Sequence, residues 1–292
     1  MFRSSFIFFL MFCLVLFFLS ACSPRKQKEA QAPSSPSLNT VEIQPIDATR
    51  DTTFYISTRG IDYSKAKVKW LVNGVTIEET SSSQFRSSEI RKGDTVQAKV
   101  TIGNSETVSN QITIKNIPPA IEKAKILPAV SKVNDTLRIN VKGNDRDGDE
   151  VTLSFEWSKN GEHAGSGEFL EGPFKRGDKI SVKITPFDGQ DYGHPITLTT
   201  EIYNSPPRVS KDGAEKFENN IYSYQIKATD PDGDALTYNL KQAPQGMVID
   251  KAGLITWKVG EKDAGRHPVT VQITDGHGGE ALYNFYVTIG LK

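Results

Sequence analysis

The chain has 292 residues, and its 35 Lys and Arg balance 35 Asp and Glu, charged residues being 24% of the total. Balanced charge excludes the basic excess that a nucleic-acid-binding face requires. The length predicts several domains rather than one.

Arg3 precedes an apolar run from Phe6 to Leu19, which ends in Leu19-Ser20-Ala21-Cys22. A short basic region, an apolar core of this length and small residues before a cleavage point describe a secretory signal over residues 1–21. The run is shorter than the roughly 20 residues that span a bilayer. The Leu-Ser-Ala-Cys ending resembles a bacterial lipobox. That resemblance implies a lipoprotein with fatty acid, palmitate among the candidates, on the sulfur and the new amino group of Cys22. Ser23 at the next position implies, within that family, the outer membrane. The other cysteine, Cys13, lies in the discarded segment, so the mature chain is expected to have no intramolecular disulfide and no Cys-rich metal site. Residues 22–40, rich in Ser, Pro and charge and without apolar periodicity, read as a lipid-anchored flexible tether.

From Val41 onwards the pattern is β throughout, and it repeats. Trp70-Leu-Val-Asn73-Gly74 is answered by Trp157-Ser-Lys-Asn160-Gly161, and Arg91-Lys-Gly93-Asp94 by Lys175-Arg-Gly177-Asp178. Asn116-Ile-Pro118-Pro119 is answered by Asn204-Ser-Pro206-Pro207. Asn-Gly after a Trp-bearing strand predicts a hairpin turn, and the Pro-Pro pairs break strand pairing where one unit hands over to the next. Three units follow, 41–116, 117–204 and 205–292, each with the short, turn-bounded strands of an immunoglobulin-like β-sandwich. Trp70 and Trp157 fall on a third strand crossing each core. Alignment on the acidic loops puts Gln242 where Trp157 stands, so the third unit is expected to lack that tryptophan.

The third unit also carries a more specific pattern. Ala228-Thr-Asp-Pro-Asp-Gly-Asp-Ala-Leu-Thr-Tyr238 is followed by Ala243-Pro-Gln-Gly246, Gly253-Leu-Ile-Thr-Trp257 and Val269-Thr-Val-Gln-Ile-Thr-Asp275-Gly-His-Gly-Gly279. In order and spacing this resembles the bacterial immunoglobulin-like domains of the cadherin-like, dystroglycan-type superfamily. The resemblance implies an all-β chain of tandem immunoglobulin-like or cadherin-like sandwiches, of a kind found in adhesion, surface and accessory proteins.

No nucleophile elbow, phosphate-binding Gly loop or His-Glu-x-x-His is present, and His163, His194, His267 and His277 are scattered and read as exposed loop residues. The chain therefore reads as a non-enzyme. Its chemistry lies in two acidic loops, Asp145-Arg-Asp147-Gly-Asp149 and Asp230-Pro-Asp232-Gly-Asp234. Carboxylates at alternate positions can surround calcium, which takes six to eight oxygen ligands. Asp and Gly are equally what a tight turn uses. In an immunoglobulin-like sandwich a second acidic loop, with Asp188 and Asp191 in unit two and Asp275 in unit three, reaches the same pole. Like charges gathered there repel unless a cation or a basic group intervenes. Calcium is thus expected at Asp145, Asp147, Asp149 and Asp188 and at Asp230, Asp232, Asp234 and Asp275, with none in unit one.

The expected function is a membrane-anchored envelope lipoprotein displaying binding modules, for adhesion or as an envelope scaffold, with a protein or glycan partner and no nucleic acid. A carbohydrate- or peptidoglycan-binding accessory lipoprotein, marked by exposed aromatics such as Tyr192, is the alternative; a surface hydrolase is the third.

Overall fold

The structure, a computed structural model, describes residues 40–58 and 65–290. The expected signal segment 1–21, Cys22 and the expected tether up to residue 39 lie outside the described residues. So does most of the loop in unit one that corresponds to the acidic loops.

Strands account for nearly all of the regular secondary structure among the described residues. A 3₁₀ turn, Glu261–Asp263, is the one complete helical element among them. No helix in that set is long and apolar enough to cross a membrane.

The first sandwich contains β1 (Val41–Gln44), β2 (Phe54–Thr58), β3 (Lys67–Val72), β4 (Val75–Thr80), β5 (Gln84–Phe85), β6 (Thr95–Ile102), β7 (Ser105–Val108) and β8 (Ile112–Thr113). One sheet runs β1-β2-β5, the other β4-β3-β6-β7 with β8 also on β6. The second contains β9 (Ala120–Leu127), β10 (Ser131–Lys132), β11 (Leu137–Asn144), β12 (Thr152–Lys159), β13 (Glu162–Ser166), β14 (Phe169–Leu170), β15 (Lys179–Phe187) and β16 (Ile196–Tyr203). Its sheets are β14-β11-β9 and β10-β16-β15-β12-β13.

The third contains β17 (Arg208–Ser210), β18 (Glu215–Glu218), β19 (Ile221–Gln225), β20 (Lys227–Thr229), β21 (Thr237–Gln242), β22 (Val248–Ile249), β23 (Leu254–Lys258), β24 (Gly265–Thr274) and β25 (Glu280–Ile289). Here β18-β19-β23-β22 and the short pair β17-β20 face β21-β24-β25.

Alternation in sequence becomes alternation in burial because side chains on a strand point to opposite faces in turn. Ile180, Val182 and Ile184 of β15 are buried, as are Val269, Val271 and Ile273 of β24. The predicted hairpins are present: Asn73 and Gly74 have φ of 50° and 78°, and Asn160 and Gly161 have 54° and 88°. Two successive positive φ values make the turn whose twist matches its strands, and Asn followed by Gly is the cheapest way to obtain it.

Each sandwich closes over its own apolar cluster. Trp70 on β3 and Trp157 on β12 are fully buried, as expected of core residues. The expectation for the third sandwich holds at that position, and the opposite sheet makes up the loss. Gln242 does stand on the corresponding strand, exposed beside a register shift in β21. The core nevertheless has its tryptophan: Trp257 enters from β23 in the opposite sheet and is equally buried. Its indole N–H reaches the Gln245 carbonyl at 3.2 Å. The space is filled from the other side, so register with the first two units could not reveal it.

Candidate functional site

Each junction between sandwiches is built from four pieces, and the two junctions match piece for piece. The trailing pole of the upstream sandwich supplies a basic side chain. Asn73 donates to Asp94 Oδ1 at 2.8 Å, and Asn160 donates to Asp178 Oδ1 at 2.8 Å. The other oxygen of each aspartate accepts the backbone N–H of Arg91 (2.7 Å) or Lys175 (2.8 Å). These bonds fold the tight turn over Gly93 and Gly177, both at φ 85°, where only glycine is unstrained. The repeated Asn-Gly and Gly-Asp motifs therefore act together, and they hold Lys92 and Arg176 at the junction.

The leading pole of the downstream sandwich supplies the acids. Asp145 Oδ1 accepts the N–H groups of Asp147, Gly148 and Asp149 at 2.7, 3.0 and 3.2 Å. Asp230 Oδ1 likewise accepts from Asp232 (2.8 Å) and Asp234 (3.2 Å). The first aspartate thus organises its loop, as the turn reading anticipates. The second clamps the linker: Asp147 Oδ2 accepts the Ile117 N–H at 2.7 Å and Asp232 Oδ2 the Ser205 N–H at 2.6 Å. The third meets the upstream cation. Lys92 pairs with Asp149, and Arg176 grips Asp234 through both Nη atoms.

The linker asparagine completes the clasp. Asn116 Nδ2 donates to Asp188 and Asp191, both at 2.8 Å, while its Oδ1 accepts from Lys92 at 3.2 Å. Asn204 Nδ2 donates to Asp275 at 2.6 Å, while its Oδ1 accepts from Arg176 at 2.8 Å. The sequence-predicted set Asp145, Asp147, Asp149, Asp188 and its counterpart Asp230, Asp232, Asp234, Asp275 are therefore each drawn into one network, through an asparagine and a basic residue. Like charges are tolerated because a cation from the preceding sandwich sits among them.

The electrostatics follow this wiring. The Arg176 hydrogen bond outweighs desolvation and holds Asp234 below the usual carboxylate range, while the same pair raises Arg176. Burial pushes Asp188 and Asp275 up. Donors from Asn116 or Asn204 and from the loop backbone overcome it, and both end below their ordinary value.

One feature remains without a protein partner, and it recurs. Asp145 Oδ2 and Asp147 Oδ1 are buried without a hydrogen-bond donor among the described residues, and so are Asp230 Oδ2 and Asp232 Oδ1. In each triad one oxygen per carboxylate lies within 4.8 Å of the others. Buried carboxylate oxygens without a donor are costly, and hard oxygen donors of this kind suit calcium. The residues fit that ion.

Sequence reasoning missed Lys92, Arg176, Asn116 and Asn204. All four lie inside the repeated motifs, and that recurrence was the available signal. The histidine expectation changes at His267, while His163, His194 and His277 are exposed. His267 is half-buried on β24, its ring 5.0 Å from Trp257 and its Nε2 2.8 Å from the Asp263 carbonyl oxygen. His277 is exposed and lies 3.6 Å from Asp234. Tyr192 is exposed and packs on Phe187, whereas Tyr222 points into the core. A cleft of about 950 Å³ lies at the far pole of the third sandwich. Its lining includes Glu215, Phe217, Tyr222, Val259, Glu261 and Val287, with no histidine, cysteine or serine among the described residues.

Comparison with a family model agrees with the fold of the third sandwich. The family described as "Putative Ig domain" matches residues 206–290. Among solved structures, the three N-terminal domains of the bacteriophage RB49 highly immunogenic outer capsid protein align over 87% of this chain and 99% of theirs. Identity is 13% and the TM-score 0.32. Extracellular domains 3–5 of Drosophila OTK align over 86% of this chain and 93% of theirs, at 10% identity and a TM-score of 0.34. The eight N-terminal Ig domains of the Down syndrome cell adhesion molecule align over 87% of this chain, which spans 37% of that structure, at 10% identity and a TM-score of 0.41. On its own sheets and on the family match, the chain is an immunoglobulin-like domain protein of tandem β-sandwiches.

Proposed function

We propose that this chain is a non-enzymatic envelope lipoprotein, anchored through lipid on Cys22, whose tandem modules serve adhesion or scaffold an envelope assembly across calcium-stiffened junctions. The observation that carries this reading is the repeated clasp. A chain whose sandwiches were merely strung together would have no reason to build the same four-part junction twice. Stiff junctions set how modules are presented to a protein or glycan partner.

Calcium would be held at the first two aspartates of each loop, where the donorless oxygens are, with the third carboxylate shared with Lys92 or Arg176. The ion would supply charge neutralisation and a cross-link from loop to linker. A site filled at a hundredfold excess over Kd stabilises its domain by about 2.7 kcal/mol.

Calorimetric titration of the full chain with calcium, with thermal melts in calcium and in chelator, tests the junctions. Heat of binding and higher melting in calcium are expected, and Asp232→Asn with Asp275→Asn should remove the third sandwich's response while the second still responds. No heat at millimolar calcium and unchanged melts would return these loops to turns that bond their own backbone. Metabolic labelling with fatty acid tests the anchor: label retained by Cys22→Ser would refute it.

A further inference from the structure

Among the described residues, strand β25 has no partner along one side of its backbone. Its other side pairs with β24 over ten consecutive residues, Gly265↔Ile289 to Thr274↔Glu280, without a register shift. It is the terminal strand of its sheet. The corresponding last strand of the second sandwich, β16, is capped by β10 through Ser131↔Ile202 and Lys132↔Tyr203.

Long exposed edges are ordinarily guarded by lysine, proline, bulges or short length. Edge strand β9 in the second sandwich follows that rule, carrying Glu122, Lys123 and Lys125. Strand β25, Glu-Ala-Leu-Tyr-Asn-Phe-Tyr-Val-Thr-Ile, has no lysine, proline or bulge, and its one charge is at its first residue.

The outward face of β25 is also self-complementary. It presents Glu280, Leu282, Asn284, Tyr286 and Thr288, with Leu282 57% and Tyr286 56% exposed. Antiparallel pairing of two copies about a two-fold axis through Asn284 sets Leu282 opposite Tyr286 twice and the asparagine opposite itself. Glu280 then faces Thr288, whose neighbour on β24 is Arg266. Two strand spacings, about 10 Å, separate Glu280 of one copy from Arg266 of the other, within combined reach of the side chains. Apolar meets apolar, and the one acidic residue meets a basic one.

We propose that β25 is a homotypic interface, at which a second copy of this chain adds its own β25 antiparallel, centred on Asn284, to form a continuous six-stranded sheet. Closed two-fold pairing uses the same patch on both subunits and leaves neither edge free. This does not depend on calcium or on the lipid anchor.

The full chain is studied by sedimentation equilibrium in density-matched detergent at about 100 μM, a concentration that detects even weak dimers. A dimer is expected, and Asn284→Lys, which sets like charges directly opposite, should weaken it at least tenfold. Mixing Asn284→Lys with Asn284→Glu chains should restore association. Register is read by oxidation: Asn284→Cys should form a covalent dimer beyond the background of Cys13 and Cys22, because facing residues lie within disulfide range. Thr270→Cys should not, since its counterpart is three strand spacings away, about 14 Å. Should an Asn284 variant melt early, Leu282→Lys replaces it. A monomeric chain, a dimer indifferent to Asn284→Lys and Leu282→Lys, or equal cross-linking at Thr270 and Asn284 would each overturn the proposal, as would capture of a different protein at this edge with no self-association.

Discussion

Removal of Asn204 is the sharpest test of the junction. Its amide donates to Asp275 at 2.6 Å and accepts from Arg176 at 2.8 Å, tying the end of the second sandwich to the leading pole of the third. Asp275 is only 2% exposed. Asn204→Ala therefore strips one oxygen of a buried carboxylate of its donor. A hydrogen bond to a charged group contributes about 1.5–3 kcal/mol. Water can re-enter beside an open loop and recover part of it, so the lower half of that range, about 1.5–2 kcal/mol, is expected. For a domain of this size 1 kcal/mol corresponds to about 4–8 °C, which puts the loss at roughly 6–16 °C. Differential scanning calorimetry of the full chain should show the third sandwich's transition moving while the first stays. Asn116→Ala, which takes the donor from Asp188 and Asp191, should instead move the second. A shift under about 1 °C, or an equal shift in every transition, would refute the clasp as a source of stability.

Three further outcomes follow from the same structure. Trp257→Ala should cost about 3–5 kcal/mol and abolish the third sandwich's transition, with limited proteolysis showing the first two intact. Gly279→Ala would place a Cβ 1.9 Å from Asp275 Oδ2 and 2.9 Å from Asn204 Nδ2; the forced loop shift should cost about 1–3 kcal/mol and lower the melting of the third sandwich alone. Acidification should weaken both junctions. Asp188, Asp234 and Asp275 are all held below their ordinary value of 3.8, so their contribution is complete above that pH and is lost as pH falls through the depressed folded values. Melting temperatures that rise on acidification below 3.8 would contradict the assignment.

Much of this molecule is local, and local order is written in neighbouring residues. Period-two alternation on β15 and β24 announces strands because every second side chain must leave water. Asn73-Gly74 and Asn160-Gly161 announce hairpins because few residue pairs accept two positive φ values. The acidic loops announce themselves by their spacing, and the repeated linker marks a unit boundary. Local pattern could not say where Lys92 and Arg176 point, because their carboxylate partners lie 57 and 58 residues further along. It could not place Trp257 in the third core, since that choice depends on which sheet faces which. Nor could it show that the first two carboxylates of each loop divide their labour, one oxygen for the turn or the linker and the other left without a donor. The junction contacts depend on packing two sandwiches pole to pole and Trp257 on packing two sheets face to face, and in both distance through space replaces distance along the chain.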